Sequence, residues 1–369
     1  MKSLSISYDT PEQLSLLRSH MGVSGFDILR TTHDLVDVLV TADRVEEFTK
    51  FLEENRLNYT VAIEDVQEAV AAEYIEQQVQ RRLHAMLRDS SLSRGLSFTY
   101  YPNYNEVSNN LLLKIKHSSK RTSSFYETHF KSLFRASTEG RQMRVLKLST
   151  GGKNKPAIFI DAGIHAREWI APITSLYIVD QMLTSHRQLL KDIDWYILPV
   201  LNPDGYEFTH SKSSNRLWRK TRSNTGNSYC RGVDGNRNYD IEWMSTGASS
   251  NPCTETYAGP KPFSEPEMQH MRDFILRNLA SECAKAIAKT RKTKYTFGTS
   301  ANHLYPAAGG SDDWAMAKAG ISLSYTYELP GGNSGFMLPP SEIKAVGTET
   351  FEAIKVIHQY VTSKYAARY

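Results

Sequence analysis

The N-terminal part of the chain shows strand-like and helix-like hydrophobic patterns in turn. Short alternating or apolar runs predict four strands, at residues 4–8, 26–29, 35–40 and 59–63. Helix-start signals lie between them: Thr10-Pro11-Glu12 offers an N-cap, a first-turn proline and an early acid, and Asp43-x-x-Glu46 offers a capping box. The resulting order, β-α-β-β-α-β, is typical of a small ferredoxin-like α+β domain.

Residues 64–88 predict one long connecting helix, because they contain neither glycine nor proline. Apolar residues with helical spacing form a stripe along it: Val66, Val70, Ile75, Val79 and Leu83. The polar, breaker-rich residues 90–95 that follow are typical of an exposed, protease-sensitive segment, with Arg88 and Arg94 as candidate cleavage sites. Exposed arginines are equally ordinary on any surface. We expect a globular domain at 1–75, a connector at 76–94 and a second domain at 95–369.

The charge distribution favours two domains of opposite sign. The 369 residues carry a net charge of +4, but residues 1–94 hold 10 Lys and Arg against 16 Asp and Glu, and the rest hold 34 against 24. Neither sign forms a run, so an acidic domain docked on a basic one is favoured over a nucleic-acid-binding tail. No apolar run approaches the roughly 18 residues of a membrane span, and residues 1–9 show no secretory signal, which alone argues against export.

A candidate metal motif follows the apolar strand predicted at residues 157–160. His165 and Glu168 stand three residues apart in the turn after this strand, so both side chains can face one point. Catalytic zinc takes three protein ligands, typically nitrogen or carboxylate, and keeps a fourth position for water. By itself the pair is weak evidence, because an exposed loop histidine beside a surface glutamate has the same spacing.

Further strings follow in order along the chain: Trp218-Arg219-Lys220, Gly232-Val233-Asp234-Gly235-Asn236-Arg237-Asn238, Tyr257-Ala258-Gly259-Pro260, Phe263-Ser264-Glu265-Pro266-Glu267, Leu304-Tyr305, Gly309-Gly310-Ser311-Asp312-Asp313-Trp314 and Tyr325-Thr326-Tyr327-Glu328-Leu329. With the His165 motif they resemble the M14-like zinc metallocarboxypeptidases of the pancreatic A/B type, including their N-terminal activation segment. The resemblance covers nearly the whole chain. It implies an α/β domain with a mixed central sheet flanked by helices, preceded by a ferredoxin-like prodomain, and one zinc ion per catalytic domain.

The resemblance also implies roles for single residues. His165 and Glu168 match the first two zinc ligands, Glu328 matches the general base and Arg219 matches the residue that stabilises the oxyanion. The group that holds the terminal carboxylate of the substrate is matched by Asn236, Arg237 and Tyr305. Arg167 matches a residue of an outer subsite. Without the resemblance, Glu328 would be a solvated acid ending a strand at residues 325–329, and residues 236–238 would be an ordinary polar loop.

Asp312 and the cysteines bear on specificity and compartment. Asp312 matches the floor of the side-chain pocket, where A-type members carry an apolar residue and B-type members Asp, which implies cleavage of C-terminal Lys or Arg. The alternative is that Ser311 and Asp312 merely cap the following helix.

Cys230 and Cys253 match a disulfide pair of the family, which implies an oxidising compartment and secretion, whereas Cys283 is expected to be a small buried hydrophobe.

One part of the family pattern is missing. The third zinc ligand belongs to a Ser-Ile-His-Ser-Tyr-type string, and this string and the family segment after about residue 278 are absent. The remaining candidates, His210, His270 and His303, lack the expected flanking residues.

Two hypotheses follow. The first is a monomeric, zinc-dependent carboxypeptidase zymogen, which a trypsin-like protease activates at Arg88 or Arg94 and which then removes C-terminal Lys or Arg from peptides. The second is an inert or truncated peptide-binding relative that keeps Arg237, Tyr305 and Asp312 but cannot activate water, because zinc binding depends on ligand number. Neither nucleic acid nor membrane is expected as a partner.

Overall fold

A computed structural model describes residues 1–20, 23, 25–31, 34–89, 97–109, 111, 127–131, 136–152, 155–275, 306–319, 321, 323–331 and 335–365. Several predictions concern residues outside these ranges: Arg94 and its cleavage segment, Cys283, His303, Tyr305 and the chain just after residue 278. For Arg88 the helical backbone is described, and its side chain is not.

Four antiparallel strands form the N-terminal sheet: β1 (Lys2–Ser7), β2 (Phe26–Thr31), β3 (Leu35–Val40) and β4 (Tyr59–Ile63). Helices α1 (Pro11–Arg18) and α2 (Val45–Glu54) connect them in the predicted β-α-β-β-α-β order, and the strand order in space is β2-β3-β1-β4. Alternate residues of β1 and β3 pack on both helices in one apolar core, which includes Leu4, Ile6, Val38, Phe48 and Leu52. The ferredoxin-like prediction is confirmed.

The two helix starts follow the sequence to different degrees. Thr10 caps α1 as predicted: its hydroxyl accepts from the Gln13 amide at 3.2 Å, and the Gln13 side chain accepts from the Thr10 amide at 3.3 Å. The predicted capping box at Asp43 is wrong, because a 3-10 turn (Ala42–Arg44) precedes α2 and Arg44 in the cap position makes no side-chain cap bond. The Asp43 carboxylate instead bonds with the Thr41 side chain, two residues away.

Helix α3 (Val66–Asp89) leaves the first domain and runs along the second. Val66 and Val70 are buried, but Ile75, Val79 and Leu83 are 64%, 49% and 49% exposed. The predicted helix is continuous, but only the first two residues of its apolar stripe are buried. The predicted boundary at residue 75 falls inside this continuous helix and stays a prediction.

Polar contacts hold the rest of α3 against the second domain. The Glu73 carboxylate accepts from the Arg216 Nε at 2.6 Å, and the Gln77 side chain accepts from the Tyr101 amide at 2.8 Å. Arg81 donates to Glu106 at 3.1 Å. These partners lie 24 to 143 residues apart in sequence, so periodicity within the helix carries no information about them.

A mixed sheet with order β5-β6-β8-β7 lies at the centre of the second domain: β5 (Glu127–Lys131), β6 (Val145–Ser149), β7 (Ala157–Asp161) and β8 (Asp194–Leu198). Strands β7 and β8 are parallel, and the other pairs are antiparallel. The helices of this domain include α4 (Ile170–Thr184), α5 (Pro203–Ser211), α6 (Pro266–Ile275), α7 (Ser311–Ala317) and α8 (Ile343–Tyr365), and residues 104–109 are also helical.

Helices cover both faces of this sheet. Ile197 of β8 belongs to the core that includes α4 and α8, whereas the next residue, Leu198, belongs to the core that includes α6 and α7. Successive strand residues point to opposite faces, so the two cores lie on opposite sides. The predicted mixed sheet flanked by helices is confirmed.

Residues 325–329 do not form the predicted strand. Residues 323–330 have no regular secondary structure, and a cavity lies between them and β7. A strand needs a hydrogen-bonded neighbour, and in the described part of the chain β7 pairs with β8 alone.

Cys230 and Cys253 form the expected disulfide. None of the described helices is long and apolar enough to cross a membrane.

Candidate active site

His165 and Glu168 lie in the turn that follows β7, and they meet as the spacing predicts. The turn reverses at Gly163, whose φ of +66° favours glycine, and a Cβ there would come within 3.0 Å of the Pro172 ring. His165 Nδ1 then lies 2.7 Å from Glu168 Oε1. The two ligand atoms expected for zinc therefore face each other across a short hydrogen bond.

Asp234 holds the other side of His165. Its Oδ1 lies 3.1 Å from His165 Nε2, and the same oxygen accepts from the Asn236 amide at 2.9 Å. Its Oδ2 accepts from Arg219 Nη2 at 2.8 Å. A carboxylate on the outer nitrogen of a metal-ligating histidine fixes the orientation and tautomer of the ring. The sequence analysis gave Asp234 no role, although it stands two residues before the Asn236-Arg237 string.

The buried charges of this cluster stabilise one another. Burial opposes ionisation of Asp234, but Arg219 and His165 outweigh it and hold the pKa of Asp234 well below its usual range. For Glu168, His165 and then Arg219 likewise outweigh burial and lower the pKa. Burial and Arg219 disfavour the imidazolium of His165, yet the Glu168 and Asp234 carboxylates prevail and raise its pKa. The carboxylates are therefore ionised and ready to accept a cation.

Arg219 lies beside this pair as the resemblance implies. Its Nη1 is 4.0 Å from Glu168 Oε1, and its carbonyl accepts from the Ala166 amide at 3.0 Å. The guanidinium is thereby anchored by Asp234 and still faces the ligand turn. A fixed cation in this place can stabilise negative charge that develops beside the His165 and Glu168 pair.

A cavity of about 270 Å³ opens in front of the ligand turn. His165, Glu168, Asn236, Asp312 and Glu328 all line it, so the fold brings five predicted site residues to one space. Glu328 is open to this cavity, but the surrounding protein reduces its hydration and raises its pKa, and the nearby Glu168 carboxylate adds to the effect.

The residues predicted to bind the substrate carboxylate do not all line this cavity. Asn236 lines the cavity and accepts from the Ser311 amide and hydroxyl at 3.0 and 3.2 Å. Arg237 is buried beside it and donates to the carbonyls of Gly247 at 2.7 Å and Asn236 at 2.9 Å. Arg237 and Arg219 are not among the residues that line this cavity, and Tyr305 lies outside the described residues.

Arg167, the predicted outer-subsite residue, is covered by the first domain. It is buried and forms an ion pair with Asp27 of β2, and its guanidinium stacks over the Phe336 ring at 4.4 Å. A second carboxylate, Glu255, lies 3.9 Å away. The N-terminal domain therefore contacts one of the residues that the resemblance places in the substrate groove.

Asp312 lies in the first turn of α7 and lines the cavity. The cap position of this helix is Gly310, which has no side-chain cap bond, and the Ser311 hydroxyl bonds Asn236 instead. Gly309, with φ of +74°, allows this approach, because a Cβ there would come within 2.3 Å of the Arg237 carbonyl oxygen. Gly310, rather than Ser311 or Asp312, therefore occupies the cap position of this helix.

The donor set fits two of the three protein ligands of a catalytic zinc ion. His165 Nδ1 and Glu168 Oε1 point at each other at 2.7 Å, and ligand atoms on tetrahedral zinc lie about 3.3 Å apart, so a small separation of the side chains would admit the metal. No cluster of three or more metal-binding side chains occurs among the described residues. Neither His210, which stacks on Trp169 at 3.9 Å, nor His270 on α6 completes such a cluster.

Comparisons with known proteins agree with this arrangement. The sequence matches the zinc carboxypeptidase family over residues 126–281 and 275–353, and the carboxypeptidase activation peptide family over residues 4–73. Carboxypeptidase B of Rattus norvegicus is 37% identical over 88% of this chain and 83% of its own length. Carboxypeptidase B of Astacus astacus is 42% identical over 62% of this chain and 89% of its own length.

Two solved structures resemble the whole chain. The structural alignment with the carboxypeptidase A of Helicoverpa armigera covers 100% of this chain and 97% of that protein, at a TM-score of 0.82 and 27% identity. The thrombin-activatable fibrinolysis inhibitor matches 98% of this chain and 99% of its own residues, at a TM-score of 0.76 and 29% identity. The similarity therefore extends over both domains and their connection.

Proposed function

Because this chain belongs to the zinc carboxypeptidase family and carries its activation peptide, we propose that it is the zymogen of a carboxypeptidase that removes C-terminal Lys or Arg from peptides. Family membership supports the reaction, the hydrolysis of a C-terminal peptide bond. The observation that supports the finer proposal is one cavity shared by the ligand pair His165 and Glu168, the acid Glu328 and the carboxylate of Asp312.

His165 and Glu168 would hold zinc, and Asp234 would orient His165 toward it. When bound, zinc supplies a Lewis acid that polarises the scissile carbonyl and lowers the pKa of water. Glu328 is open to the same cavity, so in our proposal its carboxylate accepts the proton of the attacking water and delivers it to the leaving amine. Arg219 faces the developing oxyanion with a guanidinium that Asp234 holds in place.

We assign the recognition of the free C-terminus to Asn236, Arg237 and Tyr305. A guanidinium pairs with a carboxylate through two parallel hydrogen bonds, and an exopeptidase must recognise the group that internal peptide bonds lack. Asp312 would receive the cationic side chain of the last residue, since a carboxylate in a mostly enclosed pocket is stabilised by a partner of opposite charge.

We assign the inhibited state of the zymogen to the docked N-terminal domain. Its Asp27 forms an ion pair with Arg167 of the groove, and the Glu73–Arg216 ion pair at 2.6 Å holds α3 against the second domain. Cleavage by a trypsin-like protease at Arg88 or Arg94 would separate an acidic domain from a basic one. The Cys230–Cys253 disulfide supports secretion into an oxidising compartment.

A second candidate function is a peptide-binding relative without hydrolytic activity. The observation in its favour is that the described residues provide two zinc ligands and not three. Such a protein would use the same cavity, with Asp312 and Asn236, to hold peptide C-termini.

Zinc content and hydrolysis distinguish the two functions. The full chain, purified and treated with trypsin, is expected to hold about one zinc per molecule by mass spectrometry and to release arginine from a peptide that ends in Arg. His165→Ala should lower the zinc content, whereas Glu328→Gln should keep it and lower kcat by about 10² to 10⁴. A chain that binds no zinc and releases no C-terminal residue, but binds a peptide that ends in Arg, would instead establish the peptide-binding function.

A further inference from the structure

The cavity contains a fourth carboxylate, which the proposed mechanism does not use. Asp161 is the last residue of β7 and lines the cavity, as does Asp312 from the first turn of α7. Burial raises the pKa of Asp161 to about 6, and the charge of Asp312 contributes to the same change. Two carboxylates from different elements of the fold therefore lie close enough to repel each other.

Tyr239 adds a polar atom to this pair. Its side chain is fully buried, and its hydroxyl has no hydrogen-bond partner in the described part of the protein. Packing against Phe263 and Trp314, at centroid distances of 5.4 and 5.7 Å, holds the ring in place. Burial raises the pKa of Tyr239, and the charges that add to the effect are those of Asp161 and Asp312. Tyr239 therefore lies near both carboxylates, although it is not among the residues that line the cavity.

Two carboxylates that line one cavity favour a cationic donor group between them. The neighbouring walls of the cavity are apolar, formed in part by Ala315, Ile321 and Leu323, so they suit an aliphatic stem. A guanidinium presents five donors in a planar fork and can reach two carboxylates at once, whereas an ammonium is a compact point charge.

We infer that Asp161 is a second specificity-determining residue of the pocket, which with Asp312 receives the guanidinium group of a C-terminal arginine, and that the nearby Tyr239 hydroxyl supports this pair. The inference rests on the proposed function and narrows its substrate class, because a receptor of this kind selects arginine over lysine. A pocket with Asp312 alone would accept either cation.

The test uses the full chain after trypsin treatment and two matched peptides, one ending in Arg and one in Lys. Asp161→Asn keeps the shape of the side chain and removes its charge. We expect kcat/KM for the Arg peptide to fall about 30-fold, mainly through KM, and that for the Lys peptide to fall less than about 5-fold. Asp313→Asn is the control, because Asp313 is exposed in the same helical turn and does not line the cavity. It should change both values less than about twofold.

Tyr239→Phe tests the same receptor without changing its charge. It removes a hydroxyl that has no partner among the described residues, so the fold should be retained, and the Arg-to-Lys preference should fall about threefold or more. If both Asp161→Asn and Tyr239→Phe keep the wild-type preference, Asp161 has no role in specificity, even though the chain is a carboxypeptidase for basic residues.

Calorimetry separates this inference from the proposed function. Free arginine and free lysine are titrated into the trypsin-treated wild type and Asp161→Asn, a measurement that does not depend on turnover. We expect the variant to bind arginine at least about tenfold more weakly and lysine with little change. Failure of the wild type to hydrolyse either peptide would remove the proposed function, while equal arginine binding by wild type and variant, or none by the wild type, would remove the inference.

Discussion

At the scale of single residues, the site depends on buried carboxylates with different neighbours. Asp234 is next to Arg219 and His165, so its pKa is well below its usual range. Glu267 of α6 is equally buried, but Glu265 and Asp204 lie near it, and burial raises its pKa to about 7. The first carboxylate is therefore a permanent anion that orients a ligand, whereas the second is protonated below neutral pH.

Asp312 is the residue on which the proposed specificity depends. Asp312→Ile should shift the preference from basic to apolar C-terminal residues, because it replaces the pocket carboxylate with an apolar side chain. We expect kcat/KM for a peptide ending in Arg to fall about 100-fold and that for one ending in Leu to rise. The substitution Asp313→Asn should leave the preference as it is. An unchanged preference in Asp312→Ile would show that the pocket is elsewhere.

Glu267 predicts a pH-dependent stability. The folded state binds its proton up to about pH 7, whereas the unfolded state releases it near the ordinary value of 4.5, so stability should fall as pH rises between these values. The full loss is on the order of 3 kcal/mol. Glu267→Gln should raise the Tm at pH 8 relative to wild type and change it little at pH 4.5, as measured by calorimetry of the full chain.

The control for this measurement is Glu76→Gln, on the exposed side of α3. It should leave the difference between Tm at pH 4.5 and pH 8 as in the wild type. If Glu267→Gln also leaves that difference unchanged, burial of Glu267 does not govern the pH dependence.

At the scale of secondary-structure elements, local signals succeed where the neighbours are close in sequence. The Thr10 cap of α1 needs only Gln13, three residues away, and forms as predicted. The Asp43 cap fails because the Thr41 side chain is closer, and the strand at residues 325–329 fails because its partner would have to come from another part of the chain.

The Thr10 capping box predicts a local effect on stability. Thr10→Ala removes the hydroxyl that accepts from the Gln13 amide, and it should destabilise α1 by about 1 kcal/mol. All five tryptophans lie at residue 169 or beyond, so fluorescence does not report on this helix. Amide hydrogen exchange at Leu17 does, and protection there should fall about fivefold. Thr10→Ser keeps the cap and should keep the protection; equal protection in both variants would argue against the cap.

At the scale of the whole molecule, the two domains meet through ion pairs of fixed polarity. The acidic partners, Asp27 and Glu73, belong to the N-terminal part, and the basic partners, Arg167 and Arg216, belong to the second domain. This polarity agrees with the charge difference between residues 1–94 and the rest of the chain. Both arginines are buried, so loss of a partner leaves a poorly compensated charge.

Removal of one acid should weaken the association of the domains after cleavage. We expect Asp27→Asn, treated with trypsin, to release its N-terminal fragment at least about tenfold more readily than the wild type, as measured by size-exclusion chromatography at increasing dilution. Release should also increase with salt. Glu46→Gln, an exposed position on α2, is the control. Equal retention of the fragment in all three proteins would show that the Asp27–Arg167 pair does not hold the domains together.

The sequence by itself determined the parts of this protein that depend on short-range patterns. Hydrophobic periodicity and the Thr10 cap predicted the order of elements in the first domain, and the ordered strings from His165 to Glu328 predicted the family and five residues that line one cavity. These features depend on backbone preferences and on residue types within a few positions of one another, so they can be predicted from the amino-acid sequence alone.

Only the tertiary structure decided which distant groups meet. It showed that Asp234, 69 residues away, orients His165, that Asp161 and Asp312 line one cavity, and that α3 beyond its second turn docks through polar groups such as Glu73 and Gln77. The physical reason is that burial makes a charge or a hydroxyl depend on its partner, and partners from different elements are chosen by packing, which sequence spacing does not record.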